Sequence, residues 1–95
     1  MKYPVAVWKS SESHQGEPVA YSACVPDLPG VVTEVDAFEE IEPAVREAAA
    51  GWMEAERDAG AVIPKASPVA RYAHEADYAG CMWLLVELDD EASRV

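Results

Sequence analysis

Residues 21–32, Tyr-Ser-Ala-Cys-Val-Pro-Asp-Leu-Pro-Gly-Val-Val, read as an extended run that breaks at Pro26-Asp27-Leu28-Pro29-Gly30 and resumes apolar. Pro26 and Pro29 fix their φ angles and lack backbone donors, so no sheet ladder continues through them. Asp27 can fold its carboxylate back on the local backbone, and Gly30 admits the left-handed conformation a tight reversal needs. The chain must turn here, which makes the strands on either side antiparallel neighbours. Pro26, Asp27, Pro29 and Gly30 are therefore read as structural turn residues.

Working outward, Lys2 to Ser10 is a first strand in which Tyr3, Val5 and Val7 alternate with Ala6 and Trp8. Ser10 to Pro18 is a polar hairpin loop, and Val19 to Val25 returns as the second strand. Val31 to Val35 forms a short, β-branched third strand. The next segment is a helix from about Asp36 to Ala59, because Phe38, Ile41, Val45, Ala48, Trp52 and Met53 recur at three- and four-residue intervals. Asp36 and Glu39 have capping-box spacing, Pro43 predicts a kink, and Gly60 is placed to end the helix in a left-handed cap. After a loop with Pro64 and Pro68, residues 80–88 form a last strand, apolar on both faces. The expected fold is α+β, ordered βββαβ: a three-stranded antiparallel meander, one long helix, and a fourth strand parallel to the first by a right-handed crossover. The expected sheet order is third, second, first, last.

Composition narrows the function. Eighteen acidic against seven basic residues give a net charge of −11, which disfavours nucleic acid as a direct partner, because phosphate binding draws on Lys and Arg. A basic protein is the more natural partner. No apolar run approaches the roughly 20 residues of a membrane span, and no secretory signal opens the chain, so a cytoplasmic location is expected. Cys24 and Cys81 are expected to be buried and free, about 9 to 10 Å apart across an intervening strand, too far for a disulfide. His14 and His74 lack the neighbours of a ligand or a base. No catalytic, cofactor-binding or metal-binding residue is assigned.

With the strand, strand, Pro-Asp-Leu-Pro-Gly, strand, helix order established, the chain resembles the HicB-like antitoxin family, whose small domain is a partial ribonuclease H-like fold. The residues that carry the likeness are Met1 to Val5, Val25 to Gly30, Phe38-Glu39-Glu40, Glu47-Ala48, Trp52 to Ala55, Ile63-Pro64 and the closing strand. It covers residues 1–88. The resemblance implies an antitoxin that binds and neutralises a small, basic, mRNA-cleaving toxin of the HicA type. The chain departs from the family pattern at Ala37, where Thr or Ser is usual, so that the cap falls to Asp36. It departs again at Pro43, and at residues 89–95, an acidic tail expected to hold no DNA-binding module.

Two other functions compete. A metal-dependent nuclease would need clustered carboxylates, for which Asp27, Glu34, Asp36 and Glu39 near one end of the sheet are the candidates, but turn, strand and cap roles explain each of them. A stand-alone oligomeric module is the other, since one helix covers one sheet face and leaves Trp8 or Tyr21 and part of Met82 to Leu88 in need of cover by a second copy or by the loop from Ala61 to Ala79. For the antitoxin, Trp8 is the expected apolar anchor, and Glu47, Glu54 and Glu56 on the exposed helix face are the expected electrostatic contacts.

Overall fold

The computed structural model describes residues 1–10 and 20–88. Most of the expected polar hairpin loop and the acidic tail lie outside the described residues. The strands are β1 (Lys2–Lys9), β2 (Tyr21–Cys24), β3 (Val32–Val35) and β4 (Met82–Glu87), with one helix, α1 (Ile41–Asp58). They form one sheet in the order β3-β2-β1-β4, the order expected.

The direction of β4 corrects the sequence reading. β4 runs antiparallel to β1, with Lys2 opposite Glu87 and Val7 opposite Met82, so the whole sheet is antiparallel. The parallel expectation assumed that the helix delivered the chain straight into the last strand. Instead α1, 18 residues long and so about 27 Å, carries the chain to the Lys2 end, where the Tyr3 hydroxyl donates to the Pro64 carbonyl. Residues 61–81 then cross back over the other sheet face. They form 3-10 turns at Val69–Arg71 and Ala76–Tyr78 before β4 begins beside the end of β1.

The two sheet faces are closed by different means. On one, Tyr3, Val5 and Val7 pack with Ala23, Val25 and Val86 beneath the α1 stripe Ile41, Val45, Ala49 and Met53, all at most 2% exposed. Each Val, Ile or Met among them contributes about 1.5–3 kcal/mol by leaving water. On the other face the crossing segment supplies Tyr72 and Tyr78. Tyr78 stacks on Trp8 at 6.2 Å and meets Trp83 at 5.6 Å, while Tyr72 stacks on Trp83 at 6.4 Å. Of the two ways to cover this face, the chain uses its own loop.

The helix entry also differs from expectation. The Asp36–Glu39 capping box does not form: residues 38–40 make a 3-10 turn capped at Ala37, α1 starts at Ile41, and neither start has a side-chain cap bond. Pro43 explains the delay. In a regular helix running from Asp36 its ring would strike the Glu39 carbonyl, whereas in the first turn of a helix beginning at Ile41 its missing N–H has no partner to lose. Pro43, expected inside the helix, thus falls in its first turn. The far end matches expectation. Gly60 has φ +80°, and the Gly60 and Ala61 amides donate to the Arg57 and Glu56 carbonyls at 3.0 and 2.9 Å, the paired bonds of a Schellman cap.

Candidate partner-binding surface

The turn at Pro26–Gly30 folds as its residue types demand. The Leu28 and Val31 amides donate to the Val25 and Leu28 carbonyls at 2.9 and 3.0 Å, and Gly30 sits at φ +106°. A Cβ on Gly30 would stand 3.0 Å from Trp52 Nε1, so the position needs glycine for its backbone and for its space. Asp27 departs from the sequence reading. Its carboxylate, 7% exposed, reaches across the fold instead of back on local backbone. Oδ2 accepts from the Ser67 amide at 2.8 Å, and Oδ1 accepts from the Ser67 hydroxyl at 2.8 Å and the Tyr72 hydroxyl at 2.5 Å. The turn is thereby bound to the crossing segment. Burial raises the Tyr72 phenol pKa above 10.0, with the Asp27 hydrogen bond and charge adding to it.

The four residues expected to meet a partner divide between two surfaces. Glu47 and Glu54 are exposed on the outer face of α1, whereas Glu56, expected there too, is half-buried on the side of the helix that carries Ala49, Trp52 and Met53. Trp8 pairs across the ladder with Ser22 on the face away from the helix, half-buried beneath Tyr78. No single flat contact touches Trp8 and the outer helix acids together. The carboxylates weighed for nuclease chemistry are likewise dispersed. Asp27 lies beyond the Cys24–Val32 pair and Asp36 beyond the Tyr21–Val35 pair, at opposite ends of β3, and Glu34 is exposed. They do not share one end of the sheet. Among the described residues no three His, Cys, Asp or Glu side chains gather as a metal site. Cys24 and Cys81 are free but half-buried, short of the full burial expected. Burial, the larger cause, and the charge of Cys81 raise the Cys24 thiol pKa.

Sequence reading missed Ser67, Tyr72, Tyr78 and Trp83 as a unit. The available signal was the pair of tyrosines, Tyr72 and Tyr78, in the 61–79 segment that was one of the two covers open to this face.

The family model described as HicB_like antitoxin of bacterial toxin-antitoxin system matches residues 3–94. The chain belongs to the HicB-like antitoxin family. Its fold is similar to the N-terminal domain of Burkholderia pseudomallei antitoxin HicB, with 31% identity and a TM-score of 0.74 over 94% of this chain and 99% of that one. It is also similar to the longer Burkholderia pseudomallei antitoxin HicB, with 30% identity and a TM-score of 0.75 over 100% of this chain and 72% of that one. A chain of a HicA3 and HicB3 toxin–antitoxin complex is 25% identical, with a TM-score of 0.71 over 94% of this chain and 99% of that one. A search of curated proteins gave no match. The HicB-like family is one of antitoxins and is not known for enzymes. Among the described residues no helix is long and apolar enough to cross a membrane.

Proposed function

We propose that this HicB-like chain binds a small, basic HicA-type toxin and silences its mRNA cleavage by occlusion, from a cytoplasmic location. The observation that carries the reading is the acidic outer face of α1 on a family fold that a relative displays in a HicA3–HicB3 complex. Glu47, Glu54 and Glu56 steer the encounter, because complementary charge speeds association more than it deepens affinity. Apolar contacts then hold the complex; Trp8, half-buried beneath Tyr78 on the face away from α1, stands outside a contact centred on these acids. The test is to add the purified protein to the neighbouring HicA-type ribonuclease. RNA cleavage should stop near a one-to-one ratio, and unimpaired cleavage at tenfold excess rejects the reading. Charge reversal at Glu47, Glu54 and Glu56 should slow association and flatten its salt dependence. In the same proposal the protein does not bind double-stranded DNA directly; saturable, salt-sensitive binding to its own promoter below about 1 μM, tighter than non-specific affinity, would overturn that part.

A second reading, a stand-alone module assembling as a homodimer or higher homo-oligomer, is favoured by Val32 and Leu85. They are 65% and 59% exposed on sheet residues of the face away from α1. Light scattering that finds only a 10 kDa species at micromolar concentration sinks it.

A further inference from the structure

A single helix is about 10 Å across, whereas the outer strands of a four-stranded sheet stand about 14 Å apart. α1 packs mainly on β3 and β2, and on its own side of the sheet covers the Val86 end of β4 but leaves Met82 and Leu84 partly exposed. Between the start of α1 and β4 lies a groove of about 350 Å³ lined by Phe38, Ile41, Leu84, Val86 and, from the strand edge, Leu85, with the exposed Glu39 and Glu42 at its rim. Phe38 is 44% exposed, and it is held in place by edge contact with Tyr21 at 5.8 Å. The groove borders the outer edge of β4, whose one ladder neighbour among the described residues is β1. Over residues 80–86 that edge carries no charge and no proline, the usual protections of an exposed strand.

We propose that this groove is the apolar anchor site for the basic toxin, taking from it an apolar side chain flanked by Lys or Arg. Apolar floor and acidic rim select those two chemistries together. Glu42 already holds Arg46 at 2.6 Å one turn along, which leaves Glu39 as the rim charge with no cation partner among the described residues and Glu42 as one that can exchange its partner. A second copy suits the site poorly. Two-fold pairing along β4 would bring Glu39 and Glu42 of both chains to one seam, in a protein that already carries −11, and like charges across an interface oppose it. The inference rests on the antitoxin reading above and adds where the holding contacts lie.

The test measures equilibrium affinity of the neighbouring HicA-type toxin for the wild type, Phe38→Ala, the double variant Glu39→Lys/Glu42→Lys, Val32→Arg and Val62→Arg. Val62, 88% exposed after the helix, reports a surface change outside the groove. Both groove variants should weaken binding by about tenfold or more, and the two arginine variants by less than about twofold. Phe38→Ala gives up the Tyr21 contact that braces the helix entry, whereas the rim variant changes only exposed side chains and reads binding apart from folding. Wild-type binding that both groove variants retain overturns the site and leaves the antitoxin reading standing. Loss confined to Val32→Arg moves the interface to the other sheet face. A free dimer that Phe38→Ala separates gives the groove to a second copy, again overturning the proposal. Failure of the wild type itself to bind rejects the antitoxin reading.

Discussion

Replacing Asp27 with Ala removes the acceptor for three hydrogen bonds that tie the first turn to residues 40 and 45 positions later. Hydrogen bonds to a charged group contribute about 1.5–3 kcal/mol each. The full sum is not lost, because Ser67 and Tyr72 are only partly buried and regain water, and because the buried carboxylate no longer has to be kept from it. A loss of about 3 kcal/mol remains, and in a domain of this size that lowers the thermal midpoint by at least about 12 °C. Urea unfolding followed by tryptophan fluorescence is the assay, since Trp8 and Trp83 sit under the segment that Asp27 anchors. Tyr72→Phe keeps the ring on Trp83 but loses one bond, costing about 1 kcal/mol; Ser67→Ala keeps its amide bond and should cost a similar amount. The double-mutant cycle of Asp27→Ala with Tyr72→Phe should show coupling of about 1 kcal/mol. A loss below about 1 kcal/mol for Asp27→Ala, or zero coupling, would refute the argument that this carboxylate locks the crossing segment.

Gly30→Ala forces a Cβ into a positive-φ position and against Trp52; denaturant unfolding should show a loss of about 1–3 kcal/mol. Ile41→Ala, at a residue with no exposure, should cost about 2–5 kcal/mol by cavity formation, with the denaturant slope unchanged. Stability should also fall in alkali. The Tyr72 phenol is held above its ordinary 10.0 in the folded state, so the stability it contributes is complete below the unfolded phenol's pKa and is lost as pH rises through the folded value. Wild type should therefore lose stability above about pH 10 more steeply than Tyr72→Phe, as measured by urea midpoints across that range.

What the sequence made legible were features whose causes are local. The stripe through Ile41, Val45 and Met53 marks a helix because the period is written in consecutive residues, and Gly60 marks its end because one backbone conformation decides the cap. The Pro26–Gly30 turn and the meander of β1, β2 and β3 that it helps to fold belong to the same class. The helix start was misplaced because Asp36 and Glu39 form a good local signal that Pro43, four residues past Glu39, overrides. Asp27 was read as a local turn former because its partners, Ser67 and Tyr72, are distant in sequence and no spacing rule connects them. Charge and apolar character single out Glu47, Glu54, Glu56 and Trp8 as contact residues, but neither property shows which sheet face Trp8 occupies.

The reversed direction of β4 and the open groove share one cause. Had α1 led directly into a parallel last strand, residues 61–81 would have been a short connection, and the face bearing Pro4, Ala6 and Trp8 would have needed another covering element. Tyr72 and Tyr78 make that connection a layer of its own, fastened at one end by Asp27 and at the other by stacking on Trp8. A chain that spends these residues crossing back must enter β4 from the far end, hence antiparallel to β1. It reaches the edge of a sheet whose other face has only one helix, already committed to β3 and β2. Neither layer then covers the side of β4 beside Phe38, and the acids of the helix entry stand at its rim because Pro43 holds Glu39 outside the regular helix.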